Sequence, residues 1–329
     1  MRVVFMGTPD FSVGTLEAIL EAGHEVVAVV TQPDKPKGRG GAMSMSPVKE
    51  AALAHSLTIL QPVKAKNPEF IEELRSYQPD VIVVVAFGQF LSTDILHMPK
   101  YGCINVHASL LPKYRGASPI QWAVIDGNEY SGVTTMQMAE GIDTGDILME
   151  EKVKLDVKET GGSLFDRLSS VGANLLVRTL EAVEAGQITP VKQDETKATY
   201  VKMLNKSFGE IDFNKEAVEI ERLIRGLNPW PSAFTHMNGK MVKIWDADVV
   251  TEEQVSEHCA EADTEQLNMS KPGMVAAVTK HDIYIRCGKD LLKINELQME
   301  GKKRMTADAF LRGCSLEAGT KLGLVKEDA

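Results

Sequence analysis

The chain has 329 residues. Domains with a single hydrophobic core rarely exceed about 250–300 residues, so two domains are expected. Its 43% hydrophobic and 25% charged residues are ordinary for a globular protein and exclude disordered and collagen-like classes. The net charge of -10 argues against a protein that coats nucleic acid nonspecifically, because that function leaves a whole domain basic. Any RNA partner would therefore have to bind to local basic patches.

The sequence shows no pattern of export, membrane insertion or metal binding. No charged and apolar leader precedes the first strand-like run, and no apolar run is long enough for a membrane span. The four cysteines are scattered, without the paired spacing of metal ligands. We therefore expect a cytoplasmic protein with reduced thiols, no membrane partner and no metal, and we take a monomer as the default.

Short apolar runs alternate with amphipathic stretches from residue 2 to about residue 186. Buried parallel strands are apolar throughout, so this alternation predicts a parallel sheet with helices on both faces. The expected strands are residues 2–6, 25–31, 57–60, 81–86, 103–106 and 133–138. A long helix is expected at residues 163–185, where apolar side chains fall on one face.

A polar stretch then separates this region from a strand-rich one. We expect a doubly wound, mostly parallel, Rossmann-like α/β domain at residues 1–189 and a linker at residues 190–206. Strand formers flank Asn238-Gly239, the strongest short signal for a hairpin, and more strand-like runs follow. Residues 207–329 are therefore expected to form a smaller, OB-like antiparallel β-barrel.

The glycine after the first strand invites comparison with dinucleotide-binding loops. Gly7-Thr8-Pro9-Asp10-Phe11 lacks the spacing Gly-x-Gly-x-x-Gly, and Pro9 has no N–H to offer a phosphate. A plain strand-to-helix turn is the better interpretation, and a dehydrogenase is not expected.

Polar side chains end the buried strand near residue 105. Asn105 and His107 lie on one side of that strand, and strand carboxyl ends in open α/β sheets border the ligand crevice. The glycine-flanked loop Gly141-Ile142-Asp143-Thr144-Gly145 can bring a carboxylate to the same place. Such a set can stabilise a tetrahedral oxyanion and handle the protons of an attacking amine. The alternatives are a buried histidine bonded to a carbonyl and a self-bonded turn carboxylate.

These residues resemble the signature of the folate-dependent formyltransferases that use 10-formyltetrahydrofolate. The similarity rests on Asn105, His107, Ser109-Leu110-Leu111-Pro112 and Asp143-Thr144-Gly145. It continues along the chain in Thr31-Gln32-Pro33-Asp34, Gly38-Arg39-Gly40, Ser46-Pro47-Val48-Lys49, Tyr114-Arg115-Gly116 and Asn228-Pro229-Trp230-Pro231. The last motif lies in the second domain, which the family's glycinamide ribonucleotide formyltransferases lack. The resemblance therefore implies the formyltransferase-type fold and an acceptor other than that ribonucleotide.

The resemblance also implies the substrates and the site residues. The co-substrate would be 10-formyltetrahydrofolate, the acceptor initiator methionyl-tRNA, and the catalytic residues Asn105, His107 and Asp143. The folate would contact two further groups of residues, Ser109, Leu110, Leu111 and Pro112, and Phe87, Gln89, Phe90 and Leu91. The implied chemistry needs no metal.

A loop after the second strand, residues 32–46, is where the family contacts the tRNA acceptor stem. Loops of this length are unusual in α/β units, which favours a function over a plain surface loop. The expected tRNA-binding residues are Lys35, Lys37, Arg39, Lys302, Lys303 and Arg304. The loop lacks the extra lysines common in relatives, and a solvated charged turn explains the last three cations equally well.

Two other functions share part of this pattern. Another 10-formyltetrahydrofolate-dependent formyltransferase or hydrolase would use the same Asn-His-Asp set on a different acceptor, and the second domain discriminates against it. A noncatalytic RNA-binding protein on an α/β scaffold is the alternative of a different class. Three polar side chains of catalytic types at strand ends favour an enzyme.

Overall fold

The computed structural model describes residues 1–37, 42–258 and 264–323. The chain divides into two compact units, each built from several stretches of sequence. The first unit comprises Met1–Ile120, Glu129–Lys154 and Leu164–Lys202, and the second comprises Gln121–Asn128, Leu155–Ser163 and the chain from Met203 onward. Residues 190–202 of the segment that the sequence predicted as a linker thus belong to the first unit.

The first unit contains a seven-stranded sheet and two small two-stranded ones. Its strands are β1 (Arg2–Gly7), β2 (Glu25–Val30), β3 (Lys35–Lys37), β4 (Ala42–Ser44), β5 (Ile59–Leu60), β6 (Val81–Val85), β7 (Cys103–His107), β8 (Arg115–Gly116), β9 (Tyr130–Gln137), β10 (Ile147–Lys154) and β11 (Tyr200–Val201). The helices along this part of the chain are α1 (Val13–Glu21), α2 (Pro47–Ala54), α3 (Pro68–Ser76), α4 (Thr93–Leu96), α5 (Pro119–Ile125) and α6 (Gly161–Glu184).

The large sheet has the strand order β10-β9-β7-β6-β1-β2-β5. The five strands from β7 to β5 in this order run parallel, whereas β9 is antiparallel to β7 and β10 to β9. All five residues of β6 are buried, because helices cover a central parallel strand on both faces. The order reverses between β1 and β6, and such a reversal opens a crevice at the strand carboxyl ends. The predicted doubly wound fold is confirmed.

The second unit is an antiparallel sheet around its own apolar core. Its elements are α7 (Ala217–Gly226), β12 (Ala233–Met237), β13 (Lys240–Val250), α8 (Glu252–His258), α9 (Thr264–Met269), β14 (Val275–Val278), β15 (Ile283–Arg286), β16 (Leu291–Met299), β17 (Met305–Thr306) and α10 (Ala307–Leu311). The strand order is β12-β13-β16-β15-β14, with β17 beside β16. The predicted second, antiparallel domain is confirmed.

Short bridges join the two edges of that sheet. Met237, at the end of β12, bridges to Leu322, and Met274, just before β14, bridges to Lys321. Both edges of the sheet therefore bond to the same short segment, residues 321–322. The turn between β12 and β13 is the predicted hairpin, with φ of 51° at Asn238 and 74° at Gly239, as a type I′ turn requires.

None of the helices in the described ranges combines the length and the apolar character of a membrane span.

Candidate active site

Strand β7 carries two of the predicted catalytic side chains at its carboxyl end. Asn105 and His107 are two residues apart, so both side chains lie on the same face of the sheet. The backbone of β7 is held between β6 and β9. His107 is buried, whereas Asn105 is half-buried, and within the described residues its side-chain amide has no hydrogen-bond partner. That amide can therefore donate to a ligand.

The two ring nitrogens of His107 have different partners. Nε2 lies 2.9 Å from the carbonyl oxygen of Tyr114, and because a carbonyl only accepts, Nε2 carries the hydrogen and donates. Nδ1 faces Asp143 Oδ2 at 3.6 Å, which is an ion-pair distance and longer than a hydrogen bond. Nδ1 is thus the nitrogen placed to exchange a proton with a group lying beside the carboxylate.

Asp143 reaches the site from the loop between β9 and β10. Its φ of 51° is a conformation that a non-glycine residue keeps only where its surroundings hold it. The amide of Gly116 donates to Oδ2 at 2.7 Å. The carbonyls of Asp143 and Gly145 accept from Gln193 Nε2 at 2.8 and 2.7 Å. The structure therefore brings together the three side chains that the sequence predicted, on β7 and on this loop.

The segment expected along the folate follows β7 directly. Ser109 is buried, and its carbonyl accepts from the hydroxyl of Thr134 at 2.7 Å. The same hydroxyl accepts from the amide of Leu111 at 3.1 Å, so one side chain on β9 fixes the path of this segment. Leu111 is buried, while Leu110 and Pro112 are half-buried and leave apolar surface for a ligand.

The second group of predicted folate contacts follows β6. The side chain of Phe87 is buried in the core, and its carbonyl accepts two side-chain hydrogen bonds, both 3.1 Å long. The side chain of Gln89 bonds the backbone of residues 62–65 at 2.8 and 3.1 Å. Leu91 is half-buried, whereas Phe90 is 76% exposed. Of these four side chains, Phe90 offers most of its surface to a ligand.

The predicted tRNA loop begins as a hairpin. β3 pairs antiparallel with β4, and the side chain of Lys35 is exposed. The side chain of Lys37 and the whole of Arg39 lie outside the described residues. The structure therefore places only the first of the three predicted loop cations.

A polar network fastens the base of that loop to α2. Lys49 Nζ donates to Asp34 Oδ2 at 2.7 Å and to Gln61 Oε1 at 2.8 Å. Gln61 Nε2 donates to Asp34 Oδ1 at 2.8 Å. The hydrogen bonds from Lys49 and Gln61 hold the pKa of the Asp34 carboxyl below its usual value. A separate hydrogen bond, 2.7 Å long, joins the side-chain hydroxyls of Thr31 and Ser46 at the two ends of the loop.

The other predicted cations lie on the second unit, between β16 and β17. Lys302 and Lys303 are exposed. Arg304 is also exposed, but its Nε donates to Glu296 Oε2 at 2.6 Å and its guanidinium lies 5.1 Å from the centroid of the Trp245 ring. The two lysines are therefore more available to phosphate than Arg304 is.

Arg115 and Gln193, which the sequence did not assign to the site, hold the loop of Asp143 in place. Arg115, in β8, is fully buried, and its guanidinium bonds Gln193, the residue that holds the Asp143 loop. The hydrogen bonds to Glu195 raise the pKa of the Arg115 guanidinium above its already high value. The only signal in the sequence was the family motif Tyr114-Arg115-Gly116, and Gln193 lies inside the predicted linker.

The site thus combines an amide donor, an imidazole and a carboxylate at the carboxyl end of β7, on the same edge of the sheet as the crevice between β1 and β6. Donors and a proton acceptor side by side suit acyl transfer to an amine. In the parts of the chain that the structure describes, no three His, Cys, Asp or Glu side chains are grouped to hold a metal ion.

Two family models match the chain, one over each of its two parts. The model described as "Formyl transferase" matches residues 1–180, and the one described as "Formyl transferase, C-terminal domain" matches residues 203–315. The chain belongs to the formyl transferase family and is an enzyme of that kind.

Individual relatives are similar over both units. The chain is 68% identical over 323 residues to the methionyl-tRNA formyltransferase of Lachnospira eligens, which covers 98% of this chain and 100% of the relative. It is 57% identical over 320 residues to the methionyl-tRNA formyltransferase of Agathobacter rectalis, with 97% and 99% covered. A solved N-formyltransferase from Helicobacter canadensis, in complex with folinic acid and dTDP-3-aminofucose, shares the fold with a TM-score of 0.62 at 17% identity, covering 93% of this chain and 100% of that one.

Proposed function

We propose that this chain transfers the formyl group of 10-formyltetrahydrofolate to the α-amino group of methionine on initiator methionyl-tRNA, giving N-formylmethionyl-tRNA for translation initiation. The observation that carries the proposal is the 68% identity to a relative named for that acceptor, extending over the whole of that relative. It favours this acceptor over that of another formyltransferase or hydrolase, because the match includes the second unit. The folate donor is supported by the folinic acid bound to the Helicobacter canadensis enzyme.

The reaction forms one bond and breaks another at the formyl carbon. The methionine amine attacks that carbon, the carbonyl oxygen becomes an oxyanion, and collapse of the tetrahedral intermediate breaks the bond to the folate nitrogen. The attacking nitrogen loses a proton and the folate nitrogen gains one. The oxyanion needs N–H donors where its charge develops, and the amine needs a base.

In this proposal Asn105 and His107 are the donors and Asp143 is the base. The side-chain amide of Asn105 donates to the oxyanion, and His107, when protonated at Nδ1, supplies a second donor. Asp143, whose Oδ2 lies 3.6 Å from Nδ1, accepts the proton of the attacking amine directly or through a bound water. The bond from Nε2 to the Tyr114 carbonyl keeps the ring in this orientation throughout.

The folate is proposed to lie along the segment that follows β7. Leu110 and Pro112 contribute apolar contact, and exposed Phe90, which follows β6, contributes more. For the tRNA we propose phosphate contacts from Lys35, Lys37 and Arg39 on the loop and from Lys302, Lys303 and Arg304 on the second unit. The enzyme is proposed to act as a monomer in the cytoplasm.

A formyl-transfer assay tests the proposal. The protein is incubated with labelled 10-formyltetrahydrofolate and one of three acceptors: charged initiator tRNA, free methionine or glycinamide ribonucleotide. We expect label on the charged tRNA, and a rate with the other two at least about 1,000-fold lower, since the enzyme positions its reacting amine through remote contacts to the tRNA. Equal labelling of glycinamide ribonucleotide, or none of the tRNA, would contradict the proposal.

The loop network yields a prediction of its own. Lys49→Met removes both hydrogen bonds to Asp34 and Gln61 and so loosens the base of the tRNA loop. We expect KM for charged tRNA to rise about 10-fold, while kcat at saturating tRNA and KM for the folate stay near wild type, because the loss is one of binding. Steady-state kinetics measure all three.

Lys64→Met is the matched control, because Lys64 is an exposed lysine of the same unit outside the network. It should behave as wild type. An unchanged KM for tRNA in Lys49→Met would show that the network does not support tRNA binding.

A further inference from the structure

Arg115 is a buried cation whose partners all lie within the first unit. Its Nε and Nη2 donate to Gln193 Oε1 at 3.0 and 2.8 Å. Nη1 and Nη2 donate to the carboxylate of Glu195 at 2.9 and 2.7 Å, and Nη1 also donates to the hydroxyl of Tyr200 at 2.8 Å. These bonds use all five N–H groups of the guanidinium. Arg115 therefore acts on its protein partners rather than on a ligand.

The contact with Arg115 sets the orientation of the Gln193 amide. Both guanidinium donors meet Oε1, so the amide nitrogen must point the other way. Nε2 then donates to the carbonyl of Asp143 at 2.8 Å and to that of Gly145 at 2.7 Å. Gln193 is only 9% exposed, so water competes little for these bonds. A flipped amide would place an oxygen against two carbonyl oxygens.

Asp143 is the residue that needs this support. Its backbone has positive φ, and its Oδ2 must stay beside Nδ1 of His107. The amide of Gly116, the residue after Arg115, holds Oδ2 at 2.7 Å. Gln193 holds the backbone of the same residue. Gly116 of β8 thus fixes the carboxylate of Asp143, and Gln193 fixes its backbone.

We infer that Arg115 and Gln193 form a positioning relay for Asp143, in which the guanidinium orients the amide and the amide holds the loop. The inference rests on the proposed formyl transfer and on the part of Asp143 in it. Within the described residues, the side-chain bonds of Gln193 go to Arg115 and to the Asp143 loop. Loss of the relay therefore affects turnover and leaves folate binding, which depends on the segment after β7, intact.

The test is Gln193→Glu, which keeps an acceptor for Arg115 and replaces the donating NH2 with an oxygen facing two carbonyls. We expect kcat to fall about 100-fold, the loss typical of a catalytic group misplaced by about 1 Å. KM for the folate should change less than about twofold, since uniform binding is untouched. Gln193→Met removes the donors without adding charge and should lower kcat in the same direction. Gln187→Glu, the same change at an exposed glutamine of the same unit, is the control.

A double variant separates positioning from general destabilisation. In an Asp143→Ala background, Gln193→Glu should have little further effect on kcat, because the group that it positions is gone. Wild-type kcat in both Gln193 variants, or a full second loss in the double variant, would overturn the relay. Such a result leaves the proposed function standing, since that function is tested by which acceptor the wild-type protein formylates. The unfolding temperature of each variant is measured in parallel and the assays are run well below it, so that a loss of kcat does not come from unfolded protein.

Discussion

His107→Ala and Asp143→Ala are each expected to lower kcat by about two to four orders of magnitude, the range for removing an oxyanion donor or an acid–base group. The imidazole supplies the second oxyanion donor, and the carboxylate 3.6 Å from its Nδ1 is the base in the proposed reaction. Because the two groups act in one step, the double variant should be little slower than the slower single variant. Single-turnover formylation of charged tRNA measures the chemical step directly.

Both variants should remain folded and should bind folate, since neither side chain holds the segment after β7. His97→Ala, at an exposed histidine of the same unit, is the matched control and should turn over normally. Near-normal turnover of either variant would remove the catalytic assignment of that residue. Full additivity in the double variant would show that the two groups do not share a transition state.

Gly145→Ala should produce the second large effect, through the backbone. A Cβ at this position would lie 1.6 Å from the carbonyl oxygen of Gln137 and 3.3 Å from the amide nitrogen of Ala139. Backbone atoms at the end of β9 cannot move aside as a side chain can, so the loop must shift and carry Asp143 with it. We expect kcat to fall about 100-fold or more, and the free energy of unfolding to fall by about 1–3 kcal/mol from the added strain.

Gly141→Ala is the control in the same loop. The three atoms nearest to its Cβ would all belong to the side chain of Thr144, the closest being Oγ1 at 2.3 Å, and Oγ1 can rotate away. It should therefore lower kcat and the unfolding temperature much less than Gly145→Ala. Equal effects of the two substitutions on turnover and on thermal unfolding would show that the approach of Gly145 to β9 does not position the carboxylate.

Local patterns in the sequence were sufficient for much of the sheet and for two of the three candidate catalytic residues. β6 is apolar at every position because it is central, and that same property made it recognisable. Asn105 and His107 share a strand, so period-2 alternation alone put them on one face. Asp143 was placed near them by its flanking glycines and by the family resemblance.

Features that depend on distant partners escaped prediction. β10 is an edge strand with an alternating, half-exposed pattern, so its residues resembled a polar segment. The bond between Arg115 and Gln193 joins residues 78 positions apart, and nothing local in either residue points to the other. A polar composition made residues 190–206 look like a linker, because sequence shows polarity but not whether a polar side chain has a buried partner.

The pairing of β8 with β11 also bears on when the site can form during synthesis. Tyr200 and Val201 pair with Arg115 and Gly116, and Gln193 holds the loop of Asp143. Domains fold from the amino terminus as the chain emerges from the ribosome. The nascent chain can therefore assemble the sheet and α6 while its buried guanidinium still lacks its acceptors. We therefore expect the carboxylate of Asp143, the base in the proposed reaction, to be held in place only after the chain has been made through Val201.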